Sequence, residues 1–175
     1  MSRLAVDKIV GANTESIVDL SSISNLKMPA GHVLQVVQGT LTTHVTSNSQ
    51  SYHDTGLTVS ITPTATTSKV LITVQMYIAG ADTTFFQLVR DSTAIAVGTE
   101  GADADHRGFT MQRESATNLG NTHGVVFLDS PSTTSATTYK VQARNDSAAY
   151  YFINRRESDT NFGLFSSIVV QEISG

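Results

Sequence analysis

The side chains in this chain that could bind a metal or move a proton are five histidines, fifteen acidic residues and an abundance of serine and threonine. His32, His44, His53, His106 and His123 stand singly, none at the short spacing that puts two imidazoles on one metal. They read as surface or hydrogen-bonded strand histidines. A histidine beside a threefold axis would still form a three-nitrogen ring without any sequence signature. The most acidic stretch, Glu100-Gly101-Ala102-Asp103-Ala104-Asp105-His106-Arg107, lacks the oxygen spacing, glycine and terminal glutamate of a calcium loop, and reads as a solvated loop tip.

Glycoside hydrolysis needs two carboxylates that flank one bond. Asp82, Glu100, Asp103, Asp105, Glu114 and Asp129 are candidates that spacing does not sort. No Gly-x-Ser-x-Gly elbow occurs, and serine is so common that chance Ser, His and Asp neighbours carry no signal. Absence of cysteine excludes thiolate ligands, cysteine nucleophiles and disulfides. Asn145-Asp146-Ser147 matches a glycosylation acceptor, but no secretory signal accompanies it. No catalytic residue, metal ligand or cofactor is assigned, and an enzyme is not expected.

The richest recognition chemistry lies in Tyr150-Tyr151-Phe152-Ile153-Asn154-Arg155-Arg156-Glu157, where aromatic faces and planar guanidinium groups could contact a protein or a sugar. In a strand Tyr150 and Phe152 face one way and Tyr151 and Ile153 the other, so half of the cluster belongs to a core or subunit interface. Tyr150, Tyr151, Arg155 and Arg156 are the candidate ligand or interface contacts, with the two arginines at a strand end or in the next loop.

The elements that hold these residues are strands. Serine and threonine make up roughly a quarter of the 175 residues, a composition of exposed strands and turns. The net charge of −4, with 15% charged residues, leaves no basic surface for nucleic acid. No window approaches a membrane span, and the amino terminus lacks the apolar stretch of a secretory signal, so synthesis in the cytoplasm is expected.

Between Lys69 and Ala79 the residues Val70, Ile72, Val74, Met76 and Ile78 alternate with Leu71, Thr73, Gln75 and Tyr77, a strand with one buried face. Leu57, Val59 and Ile61 share that period, and residues 62–68 read as the turn of a hairpin joining the two runs. The segment from His32 to Thr46 is one bent strand or two short ones, with Val33, Val37, Leu41 and Val45 on one face and Gly39 at a bulge or bend. Arg90-Asp91-Ser92-Thr93 reads as a tight hairpin. Further strands are expected over 108–113, 123–128, 137–144, 149–154 and 165–173, a pattern of an antiparallel β-sandwich or jelly roll.

The first thirty residues differ. Leu4, Val6 and Ile9 make a short strand pattern, whereas Ile17, Leu20, Ile23 and Leu26 recur every three residues. That spacing suits an apolar axis shared by three chains, or a short helix capped by Asn13 or Thr14. Met28-Pro29-Ala30-Gly31 breaks the pattern, which divides the chain into an anchoring and trimerisation arm (1–30) and a sandwich domain (31–175).

Several segments, taken in order, resemble the β-sandwich modules of fibre-type structural proteins of tailed bacteriophages, such as those of cyanobacteria. They are Met28-Pro29-Ala30-Gly31-His32-Val33-Leu34-Gln35-Val36-Val37-Gln38, Asp54 to Pro63, Ser68 to Ile72, Phe86 to Asp91, Leu128-Asp129-Ser130-Pro131 through Tyr139-Lys140-Val141-Gln142, and Ile168 to Ile173. The likeness implies a homotrimer in the virion, docked on other virion proteins through its amino-terminal arm, with outward loops that contact a host surface glycan or protein. The chain departs from that pattern in having no long shaft, which makes a capsid decoration protein an alternative. A glycan-degrading enzyme of the tailspike sort is the alternative from another class.

Overall fold

The structure, a computed structural model, describes residues 29–80, 82–100, 103–113 and 119–175. The positions expected to anchor or trimerise the chain, Leu4, Val6, Ile9, Ile17, Leu20, Ile23 and Leu26, lie outside the described residues. Among the described residues, eleven strands and one 3₁₀ turn (Ala104–His106) are formed: β1 (Val33–Leu41), β2 (Val45–Ser47), β3 (His53–Ile61), β4 (Lys69–Gly80), β5 (Thr84–Arg90), β6 (Thr93–Ile95), β7 (Thr110–Gln112), β8 (Gly120–Asp129), β9 (Thr137–Asn145), β10 (Tyr151–Ile153) and β11 (Ser166–Ile173). All strand pairs are antiparallel. The expected all-β class is observed.

The pairing is nested. β1 pairs β11, β3 pairs β9, β4 pairs β8 and β5 pairs β7, so the chain behaves as one long antiparallel ribbon. Successive pairs of that ribbon alternate between two sheets. Rolling it up brings β11 beside β4 in the first sheet and β9 beside β5 in the second. The first sheet therefore runs β1-β11-β4-β8, with β2 and β10 extending its first two lines, and the second runs β3-β9-β5, flanked by β6 and β7. This is the winding of a jelly roll.

The core lies between the sheets because each strand turns alternate residues inward. Val70, Ile72, Val74, Met76 and Ile78 of β4, Ile168 and Val170 of β11, Leu57, Val59 and Ile61 of β3, and Tyr139, Val141 and Ala143 of β9 are all buried there. At about 25 cal/mol per Å² of apolar surface removed from water, this cluster is the main stabilising term.

The expected hairpin of residues 57–61 with the strand from Lys69 is not formed. β3 pairs β9 and β4 pairs β11 and β8, so residues 62–68 cross from one sheet to the other. A buried carboxylate holds that crossing: Glu172 of β11 accepts hydrogen bonds from Thr64 N and Oγ1 (both 2.7 Å), Ser68 Oγ (2.6 Å) and Gln35 Nε2 (2.6 Å).

The segment from His32 is two strands, β1 and β2, broken at Thr42–His44. Gly39 is not at the break. It lies in regular register with Ile168, and a Cβ there would stand 2.0 Å from the Thr58 carbonyl oxygen, so glycine lets β1 close against β3. Of the residues expected inside, Val37, Leu41 and Val45 join the core, but the register shift between Val33 and Gln35 leaves Val33 half exposed. The tight hairpin at Asp91-Ser92 is present between β5 and β6, with Asp91 at φ 53°.

Candidate functional site

The two outer faces of the sandwich differ in kind. On the second sheet, Asp54 accepts hydrogen bonds from Lys140 Nζ (2.9 Å) and Gln142 Nε2 (2.7 Å), Gln87 donates to Gln142 (2.8 Å), and Ser60 meets Thr138 at 2.8 Å. That face is a polar ladder whose members satisfy one another, and the hydrogen bonds from Lys140 and Gln142 hold the Asp54 carboxyl below its ordinary pKa.

The outer face of the first sheet is uncharged along its rows, half of it Gln, Ser and Thr, with exposed valine and leucine at its margins. Its rows run Val36-Gln171-Leu71-Leu128, then Gln38-Val169-Thr73-Val126, then Thr40-Ser167-Gln75-Gly124. Val126 is 69% exposed, Val36 57% and Leu128 49%. At the end of this face beyond Gln75, a groove opens against the loop that joins β10 to β11. Tyr77, Arg156, Phe162 and Leu164 enclose about 200 Å³ of it, and Gln75, Tyr77, Thr122, Gly163, Leu164 and Phe165 enclose an adjoining 230 Å³.

Asn154 fixes that loop. Its backbone takes φ 62°, and its buried amide donates to the carbonyls of Leu41 (2.7 Å) and Thr43 (3.1 Å) while its oxygen accepts from Ser166 Oγ (2.7 Å). Its own N–H donates to Tyr77 O and its carbonyl accepts from Leu164 N, so one side chain and one peptide tie β1, β4 and the start of β11 together.

Beyond it the two arginines play different parts. Arg155 donates to the carbonyls of Arg156 and Glu157 (both 2.9 Å) with its guanidinium over the Phe152 ring. Arg156 grips Asp159 Oδ2 through Nε (2.9 Å) and Nη2 (2.5 Å), and its guanidinium lies 4.4 Å from the Phe162 ring centre. The Asp159 carboxyl is held below its usual pKa, first by the Arg156 hydrogen bonds and then by the Asn161 N–H. His44 Nε2 meets the Phe162 carbonyl at 3.1 Å and steadies the same loop.

Of the four contacts expected from the sequence, the structure brings Arg156 to the groove. Tyr150 is 54% exposed, just ahead of β10, with its ring against Phe152. Arg155 organises the loop backbone. Tyr151 is a core residue, fully buried, edge-on to Phe86 and 2.9 Å from His53 Nε2, so it is no surface contact of this chain. Burial pushes its phenol up to about 12. Sequence reasoning missed Tyr77, Phe162, Leu164 and Phe165. The signal for the last three was large apolar side chains in the stretch 158–165, which is otherwise of Ser, Asp, Thr, Asn and Gly.

Of the carboxylates first considered for catalysis, Asp82, Asp103 and Asp129 are occupied in structural roles, and Glu114 lies outside the described residues. Asp129 receives Arg90 and the Tyr139 hydroxyl. Asp82 is bonded by the Ser147 hydroxyl and the Thr83 N–H. Asp103 caps the 3₁₀ turn by accepting from Asp105 N, and His106 stacks on Phe85 while meeting Asp146 at 2.7 Å. His123 bridges Thr110 Oγ1 and Gln112 Oε1, and burial lowers its pKa. Among the described residues, no three His, Asp or Glu side chains are grouped so as to hold a metal ion. No helix among them is long and apolar enough to cross a membrane. The arrangement offers a binding surface: stacking faces, one guanidinium–carboxylate pair and amide and hydroxyl hydrogen-bond groups.

No model of a known protein family matches the chain, and no curated protein sequence matches it either.

Proposed function

We propose that this chain is a structural, non-enzymatic subunit of a tailed-bacteriophage particle: a trimeric, fibre-like appendage that docks through its amino-terminal arm and presents its sandwich for binding. The segment likenesses given above suggest the particle, and one feature of the fold supports the polarity. The described chain begins at Pro29, and Gly31 N donates to Ser174 O beside the end of β11 that pairs with Lys69. The aromatic groove lies at Tyr77, eight residues farther along β4, or about 26 Å at the rise of an antiparallel strand. An arm arriving at one end leaves the groove facing away from the anchor.

In this reading the groove is the host-facing contact. Its partner is a host surface glycan or protein that stacks on Phe162, Phe165 and Tyr77 and hydrogen-bonds the Arg156–Asp159 pair. Immunogold electron microscopy with antibodies to the purified chain, applied to particles whose genome encodes it, tests the assignment. Label on the particle is expected, and unlabelled particles in which mass spectrometry finds no such chain would overturn it. Counting copies per particle separates an appendage from a capsid decoration protein, since decoration requires copies in proportion to capsomers. Release of oligosaccharides from host polysaccharide, read as new reducing ends, would refute the non-enzymatic reading.

A further inference from the structure

A β-sandwich has sheet edges with free backbone groups, which natural folds interrupt or cover. Three of the four long edges here are interrupted. The register of β1 shifts between Val33 and Gln35, that of β3 shifts between Asp54 and Thr58, and the edge beyond β5 is split into the three-residue strands β6 and β7. Among the described residues β8 is the exception. It pairs β4 over ten consecutive residues with no shift, from Gly120 opposite Ala79 to Asp129 opposite Val70. It contains no proline and no Lys, Arg or Glu, and Asp129 turns inward to Arg90 and Tyr139. His123 also turns inward, to Thr110 and Gln112.

Two of its outward residues, Val126 and Leu128, are at once an exposed apolar margin of the uncharged face and part of this uninterrupted edge. A monomer with such a strand would be prone to association.

We propose that the Val126–Leu128 part of the β8 edge and the outer face beside it, away from the groove at Tyr77, form the interface on which a second copy of this chain packs. This rests on the reading of the chain as a subunit of an assembly, and names the surface that assembles it. Charge makes this the face on which a copy can approach. Copies of a chain with net charge −4 repel one another, and among the outward residues of β1, β11, β4 and β8 the single charged group is Lys69, at the end of its strand. The polar ladder of the other sheet, with Asp54 and Lys140, would have to be stripped of water first.

The face also has two apolar ends. Val126 and Leu128 on β8 and Val36 on β1 lie three strand spacings apart, about 14 Å. One end of one copy can therefore meet the other end of the next, a head-to-tail contact of the kind that builds a ring when the rotation between copies closes.

Light scattering coupled to size exclusion, on the full chain across micromolar concentrations, tests this. The wild type is expected to run as an oligomer. Val126→Asp and Val126→Lys are each expected to run as monomers with an unchanged β-sheet circular dichroism spectrum, and Thr58→Asp on the polar face to keep the wild-type mass. Two variants of opposite charge guard against a single misfolded one. A monomeric wild type, or folded Val126 variants that keep the oligomer mass, would overturn the interface. A wild-type mass of three copies agrees with the trimer. A mass of two that Val126→Asp abolishes would retain this interface and refute the trimer, while the particle assignment stands or falls separately on the immunogold label.

Discussion

Arg90 and Asp129 join the two sheets: Nη1 of Arg90, at the end of β5, lies 2.8 and 2.9 Å from the two carboxylate oxygens of Asp129, at the end of β8. Tyr139 Oη of β9 donates to the same carboxylate at 2.7 Å, and burial, then this bond, pushes the phenol well above its ordinary pKa. Removing the acceptor leaves a guanidinium and a hydroxyl without it in a largely dehydrated site. Asp129→Ala is expected to lower stability by about 3 kcal/mol. The Arg90→Met/Asp129→Leu pair should lose less than the sum of the two single changes. Urea denaturation measures both, and a loss within about 0.5 kcal/mol for Asp129→Ala would show the bridge to be dispensable.

Stability should fall in two stages as pH is lowered. Burial lowers the pKa of His123, so the unfolded chain takes up a proton that the native chain resists, and stability begins to decline below about pH 6.5. Burial alone would raise Glu172, but the hydrogen bonds from Ser68, Gln35 and Thr64 outweigh it and hold the native carboxyl below its ordinary value. Its contribution is present above the unfolded pKa of about 4.3 and is lost as pH drops through the native value. Glu172→Gln, which replaces an acceptor with a donor among four hydrogen-bond donor groups, is expected to cost about 2 kcal/mol at pH 7 and to flatten the acid limb. Thermal unfolding from pH 7 to pH 3 reads both effects, and an unchanged acid limb in the variant would assign it elsewhere.

Gly39→Ala puts a methyl group against the Thr58 carbonyl, where no side chain can rotate away, and should destabilise by about 3 kcal/mol through forced separation of β1 and β3. Gly163→Ala in the groove loop meets nothing within 4 Å and should change stability by no more than about 0.5 kcal/mol. Equal effects of the two would contradict the close approach.

Phe162→Ala removes a 48% exposed ring from the groove and the face beneath the Arg156 guanidinium. Binding of the purified chain to host cells, measured by flow cytometry, is expected to weaken about tenfold or more, as for the loss of a central aromatic contact. The thermal midpoint should stay within about 2 °C of wild type, since little buried area is lost. Undiminished binding would refute the groove as the proposed host contact.

Much of the fold is legible in alternation. The inward residues of β4 and β3, the two-residue turn at Asp91-Ser92 and the positions of β7 to β11 follow from period-two patterns and turn chemistry, because burial on one face is a side-chain property that a single strand displays. The same logic placed Tyr151 opposite Tyr150 and assigned half of that cluster to a core or interface; Tyr151 is in the core.

Pairing was decided only in three dimensions. Backbone hydrogen bonds carry no residue code, so the short sequence separation of β3 and β4 suggested a hairpin where the rolled ribbon sets them in opposite sheets. Gly39 looked like a bend because the Thr58 carbonyl that requires glycine lies nineteen residues away in sequence. The groove likewise gathers Tyr77, Thr122, Arg156 and Phe165 from three strand neighbourhoods, and no local window contains them together. By itself the sequence determined which residues turn inward, through the free energy of removing apolar surface from water. The tertiary structure decided which strands meet and which apolar residues stay outside, because both depend on the long-range closure of the ribbon.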